Sequence, residues 1–287
     1  MGHQEARRKK VELGLARDLP DFNVRKIQAL QWMVRFGFST SKILNQLFLS
    51  KDDLAAMEKL HLVENVQIGY KKTNDSRPRP TTIWYPTRRG RILGKFNEYI
   101  GKAYPSIPLA SHDLICQAFV CHELETTYGG FNGCPLFGVR PARMLQKMGL
   151  PGLDLKGHLP DAVFGTHGRL GVVEVERNPV LKKRGEGRLL EQFKLLEKMN
   201  HLVFDLGLNL TMLYTTQRQA DDNWELCGAA ASYGYPSFSK TQSGEYWPDK
   251  TWVNGAWLQD KKPLLFPVDD VHFESLDSLD LSRWLPC

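Results

Sequence analysis

A chain of 287 residues, 42% hydrophobic and 24% charged, has the composition of a globular protein and the length for one large domain or two ordinary ones. Its apolar runs fall short of the roughly 18 residues of a membrane span, and Met1 to Lys10 lacks the apolar core of a signal peptide, so a cytoplasmic protein without a membrane segment is expected. The net charge of +6 is uneven: residues 1–100 hold 19 of the 38 Lys+Arg but only ten of the 32 Asp+Glu, which gives +9 there and −3 in the remainder.

That asymmetry favours a polyanion docked by the N-terminal third over a merely solvated basic face. The five cysteines fit reduced thiols. Cys116, Cys121-His122 and Cys134 lack a second pair at ligand spacing, so no structural zinc site is expected.

Residues 1–22 are charged and aperiodic and read as a flexible basic arm. Ile27, Leu30, Trp32, Met33 and Val34 give Val24–Phe36 a helical stripe, stopped by Gly37. Ser39-Thr40-Ser41 offers an N-cap for a second helix, Lys42–Leu49. Ser50 caps a third, with Asp52 and Asp53 in its first turn and Leu54, Met57, Leu60 and Leu62 on its buried face. Two extended runs follow, Leu62–Tyr70 and Thr81–Pro86, joined by the polar, basic Lys71–Pro80. Three helices and a hairpin are the order of a winged helix, assigned to residues 23–100. Thr87-Arg-Arg then opens a further helix. Lys51, Lys71, Lys72, Arg77, Arg79, Arg88 and Arg89 are the candidate DNA contacts of this domain.

Ala103–Ala110 reads as a linker into a second domain, residues 101–287. Ser111 caps a helix over His112–Glu125, with Leu114, Ile115, Phe119 and Val120 on its apolar side. Tyr128–Cys134 is a Gly-rich loop and Pro141–Met148 a short helix or turn. Strands are expected around Asp161 and Glu174, then the longest helix, Gly185–Leu206, a short strand at Leu210–Tyr214, and a helix within 221–232. Beyond that Pro, Gly and Trp are dense. Trp247, Trp252 and Trp257 read as packing residues before they read as stacking platforms for bases.

The chemistry concentrates in Leu159-Pro-Asp-Ala-Val-Phe164 and Gly171-Val-Val-Glu-Val-Glu-Arg177. Glu174 and Glu176 share one face of their strand by the period of two. Carboxylates on neighbouring apolar strands are costly to bury unless a cation meets them. Asp161 and Glu174 therefore read as ligands of Mg²⁺ or Mn²⁺, with Glu176 for a second ion or a water. Lys182 or Lys183 could reach the phosphate from the following segment, and Arg184, Arg188 and Lys194 the DNA backbone. Arg140 and Arg143 are further candidates for guiding a strand.

This arrangement resembles the PD-(D/E)xK nuclease superfamily, with Pro160-Asp161 and Glu174-Val175-Glu176 in the motif positions and Glu176 where a lysine usually stands. Gln192 matches loosely a glutamine of some branches. With the winged helix, His112-x-Leu114, Asp161-x-x-Phe164 and the Glu-x-Glu added, residues 25–215 resemble the MobC-type plasmid relaxases and the related replication-relaxation proteins. The His122-x-Leu124 tripeptide is a second match to the histidine motif; His112 is preferred at its helix start. The resemblance implies an α/β (α+β) chain, a winged helix before a restriction-endonuclease-like mixed sheet. It implies nicking at a plasmid transfer origin with a divalent metal, an accessory mobilisation protein and a coupling protein. His112, Asp161, Glu174, Glu176 and Lys182 or Lys183 would be catalytic. A DNA-binding replication or transcription regulator with an inactive nuclease fold is the alternative, and a restriction-type endonuclease is a third reading.

Overall fold

The computed structural model describes residues 24–72, 77–94, 110–126, 160–166, 169–177, 190–191, 193–197, 209–244, 246–249, 252–253, 256–257, 261–264 and 271–286. The basic arm, the Gly-rich loop, the 141–148 turn and residues Arg140, Arg143, Lys182, Lys183, Arg184, Arg188 and Gln192 lie outside them. The chain is a mixed α/β protein of helices and small sheets, divided into two compact units. One is Met1–Ile68 with Pro80–Ile107; the other is Gly69–Arg79 with Pro108–Cys287.

The first unit opens with α1 (Val24–Phe36), which buries Ala29, Leu30, Trp32, Met33 and Phe36 and ends at Gly37, φ +81°. A positive φ there is what glycine supplies without a Cβ clash. A two-residue strand, β1 (Ser39–Thr40), was not legible in the pattern; it pairs antiparallel with a later strand. The cap of α2 (Ser41–Leu47) is Thr40, whose hydroxyl accepts from the Ile43 amide. At α3 (Asp53–Lys59) the expected cap is inverted: the Ser50 amide and hydroxyl both donate to Asp53 Oδ2 at 2.7 Å. Lys26 on α1 meets the other Asp53 oxygen at 3.0 Å.

The two extended runs form β2 (Val63–Tyr70) and β3 (Arg79–Pro86), in a sheet of order β1-β3-β2. Then Thr87 caps α4 (Arg88–Leu93), accepting from the Gly90 amide and donating to the His61 carbonyl at 2.7 Å. Gly90 is required: a Cβ there would run into the Leu62 carbonyl oxygen.

In the second unit, α5 (Ala110–Thr126) differs from its expected one-sided burial. Twelve of its 17 residues are buried, so it is a core helix rather than an amphipathic one. Ser111 lies inside it and does not cap it; its hydroxyl accepts from the Lys71 amide at 2.9 Å. The sheet beside it is four-stranded, in the order β13-β6-β5-β4, from β4 (Ala162–Thr166), β5 (Arg169–Glu176), β6 (Asn209–Tyr214) and β13 (Val271–Ser275). The β4–β5 pair is antiparallel, and β5–β6 and β6–β13 are parallel.

Two layers cover this sheet. Phe119 of α5 meets Phe164 of β4 edge-on at 5.9 Å. By register, Val173 and Val175 share that side. On the other side Val172, Leu210, Met212, Tyr214 and Val271 pack with Phe193, Leu196 and residues of α6 (Gln217–Tyr233). That helix starts earlier than the sequence pattern suggested, because Thr216 and Gln219 form a reciprocal capping box. Short pairs follow: β7 (Tyr235–Pro236) with β12 (Lys261–Lys262), β8 (Phe238–Lys240) with β9 (Tyr246–Pro248), and β10 (Trp252–Val253) with β11 (Ala256–Trp257).

Candidate functional site

The site assembles where the first turns of α5 face the head of β4. Pro160 is buried and Asp161 follows it, just before the strand. Asp161 Oδ2 accepts from the Val175 amide at 2.8 Å, which ties it to the middle of the Glu174-Val175-Glu176 tripeptide. The same oxygen lies 3.0 Å from His112 Nε2. On the other edge of the imidazole, Nδ1 lies 3.4 Å from Asp113 Oδ1 and 3.9 Å from Cys116 Sγ. His112 and Cys116 are four residues apart, hence on one face of the helix.

The ring is thus held from both nitrogens. Burial pushes the imidazolium down, but hydrogen bonds to Asp113, Asp161 and Cys116 outweigh that, and the His112 pKa is raised well above its ordinary value. Burial, with the Asp161 charge next, pushes the Cys116 thiol up to about 12. A neutral, fully buried thiol is a poor nucleophile, so the Cys-His-Asp arrangement does not read as a triad for acyl transfer.

Among the described residues, His112, Cys116 and Asp161 bring one donor atom each within 4.8 Å of one another. Their nitrogen, sulfur and oxygen donors suit a borderline transition ion better than Mg²⁺, which prefers oxygen throughout. One ion can use only one imidazole nitrogen, so binding requires the ring to release one of its present partners. Among the described residues, neither Glu174 nor Glu176 joins this group. They alternate with Val173 and Val175 and share the side of Val172, toward α6.

Arg177 is next in the alternation on the α5 side. Its Nη2 donates to the Lys71 carbonyl at 3.0 Å, and its Nε is buried without a hydrogen-bond partner. Burial lowers its pKa, opposed by the nearby Tyr70 and Cys116. Burial likewise pushes the Tyr70 phenol up to about 12 against the charges of Arg177 and Arg79. Of the hairpin lysines, Lys71 is engaged through its backbone, and Lys72 pairs with Asp277 at 3.2 Å. Lys51, Arg77, Arg79 and Arg88 are exposed and Arg89 is half-buried.

Sequence reasoning brought Asp161 and His112 forward and missed Cys116 beside them and Arg177 near Cys116. The i, i+4 spacing of His112 and Cys116 was the available signal for the first. The alternation that separates Arg177 from Glu176 was the signal for the second. No protein-family model, curated protein or solved structure matches the chain.

Proposed function

We propose that the chain is a divalent-metal-dependent DNA strand-nicking enzyme, a mobilisation relaxase acting at a plasmid transfer origin with an accessory mobilisation protein and a coupling protein. The observation that carries this reading is the meeting of His112 with Asp161, two residues that separate motifs single out, at the backbone of the Glu-x-Glu strand. The order α1-β1-α2-α3-β2-β3 suits a winged helix. The order α5-β4-β5-β6, with helical residues at 190–191 and 193–197 between the last two strands, suits a restriction-endonuclease-like core.

In this reading Asp161 and His112 hold the cation, and Cys116 is a third donor. The nitrogen and sulfur favour Mn²⁺ over Mg²⁺ of the two ions the sequence suggested. A divalent cation, when bound, supplies charge neutralisation at the scissile phosphate. Arg177 supplies the fixed positive charge for which Lys182 and Lys183 were the candidates, because it shares the side of Asp161 while Glu176 faces away. The test is nicking of a supercoiled plasmid carrying the origin region, with Mn²⁺, Mg²⁺ and EDTA arms. Asp161→Ala is expected to abolish conversion to open circle while duplex binding persists; undiminished nicking by that variant removes the proposal. Loss in Asp161→Ala with retention in Glu174→Ala assigns the ion to His112, Cys116 and Asp161.

One observation favours a second reading, a DNA-binding regulator with an inactive nuclease fold. Asp161 Oδ2 already has two partners within the chain, so the pair is self-sufficient without an ion. This reading expects steeply salt-dependent DNA binding and no scission with any metal.

A further inference from the structure

A second surface of the C-terminal unit carries lysines laid over tyrosine rings. Lys194 Nζ lies 4.9 Å from the Tyr246 ring centroid, and Lys240 Nζ lies 5.9 Å from the same ring. Lys261 Nζ lies 5.5 Å from the centroid of Tyr233. Tyr233 and Tyr246 are 55% and 38% exposed, far from the burial expected of packing residues. All three lysines are exposed too.

The Tyr246 contacts belong to one strip, formed by the β8–β9 hairpin and the helical residues 193–197. Glu197 accepts from the Tyr235 hydroxyl at 2.5 Å and pairs with Lys262 at 3.0 Å, which anchors the β7–β12 pair to the helical residues 193–197. Lys194 lies one turn away on that same helical segment and reaches the β8–β9 hairpin. Lys261 is the other residue of β12 and, by the alternation along a strand, faces away from Lys262, so the Tyr233–Lys261 contact stands apart from this strip. Glu197 neutralises Lys262 locally, and the strip keeps Lys194 and Lys240 as its cations. On the hairpin, Tyr246 and Lys240 are register partners, so they share a face. Trp247 pairs with Ser239 on the opposite face, where Ser237 and Ser239 hydrogen-bond Asp249.

We infer that this strip binds single-stranded nucleic acid. Tyrosine faces accept unpaired bases, and each ammonium now resting on a ring moves to the adjoining phosphate. A duplex keeps its bases stacked inside and offers the rings nothing, so the aromatic half of the surface selects the single strand. An anionic lipid surface would use the lysines alone and leave the tyrosines without a role. The inference does not depend on strand cleavage, and binding can be read with no metal present.

The test is fluorescence anisotropy of the full chain with a labelled oligothymidylate, against a duplex competitor and phosphatidylserine vesicles. Tyr246→Ala is expected to weaken oligothymidylate binding by roughly fivefold or more, since base stacking on an aromatic is worth that much by alanine substitution. Tyr246→Phe keeps the ring and the affinity. Lys194→Ala and Lys240→Ala each lower the slope of log affinity against log salt by about 0.7. Trp247→Ala, on the far face of the hairpin, leaves binding unchanged. Circular dichroism and melting of each variant separate lost binding from lost fold, and Tyr246→Phe with the salt slopes decides the matter if an alanine variant unfolds. The inference is overturned if wild type does not bind oligothymidylate, if duplex competes equally, or if Tyr246→Ala binds as wild type does. Strip variants that lose vesicle binding alone would also overturn it.

Discussion

Replacing Asp161 by alanine removes one partner of His112 and the side-chain acceptor of the Val175 amide at a stroke. A hydrogen bond to a charged group contributes about 1.5–3 kcal/mol, and a buried amide left without an acceptor costs roughly 1–3 kcal/mol. Both side chains of the pair keep 22% exposure, so solvent recovers part of each loss. A net destabilisation of about 2–3 kcal/mol follows, and for a unit of this size each kcal/mol moves the melting temperature by roughly 2–4 °C. The cleaner measurement is a double-mutant cycle of Asp161→Asn with His112→Gln, read by chemical unfolding, with an expected coupling of about 1–2 kcal/mol. The sign of its pH dependence is fixed by the raised His112 pKa. Stability from a proton held more tightly in the folded state is fully present below the unfolded value of about 6.5. It declines as pH rises above that value toward the folded one. Wild type should therefore lose more stability than His112→Gln between about pH 6 and pH 9. A coupling below about 0.3 kcal/mol, within ordinary additivity, and identical pH slopes would refute the pairing of His112 with Asp161.

Metal and proton compete for His112, so binding of Mn²⁺ or Zn²⁺ should release protons and tighten as pH rises; titration calorimetry in buffers of different ionisation enthalpy measures this, and Cys116→Ser should weaken Zn²⁺ more than Mn²⁺. Gly90→Ala drives a Cβ into backbone rather than into a yielding side chain, so a loss of about 1–3 kcal/mol is expected in thermal melts. Asp53 is held below the usual carboxylate range: burial opposes this, and hydrogen bonds from Ser50 and Lys26 overcome it. Its contribution is present above the unfolded pKa of about 3.9 and is lost as pH falls through the lower folded value. Asp53→Asn should flatten that acid limb in a pH series of unfolding curves.

The helices of the first unit were legible because their apolar stripes and stop signals are local: α1 runs over the span its stripe marks and ends at Gly37. Caps were less so. Ser, Thr and Asp crowd around 39–41 and 50–53, and which hydroxyl turns inward depends on packing; Thr40 caps α2 while Ser50 donates to Asp53. The short strand β1 has two residues, too few for any period. In the candidate site, Asp161 stood out by its apolar neighbours and His112 by its helix start. Their partnership depends on the docking of α5 against β4 and β5, a long-range contact that no spacing encodes. The β-pairs beyond 234 were illegible because each runs only two or three residues.

The parallel pairing of β13 with β6 bears on how the protein is made. Five consecutive residues, Val271–Ser275, complete the sheet along Leu210–Tyr214, and the Leu276 amide then donates to the Tyr214 carbonyl at 2.8 Å. Between the two strands the ribosome must deliver α6 and every strand from β7 to β12. Throughout that interval β6 presents a bare, apolar edge, the kind of template on which nascent chains adhere to one another. Slow elongation over residues 215–270 therefore extends the time during which a chaperone has to shield that edge.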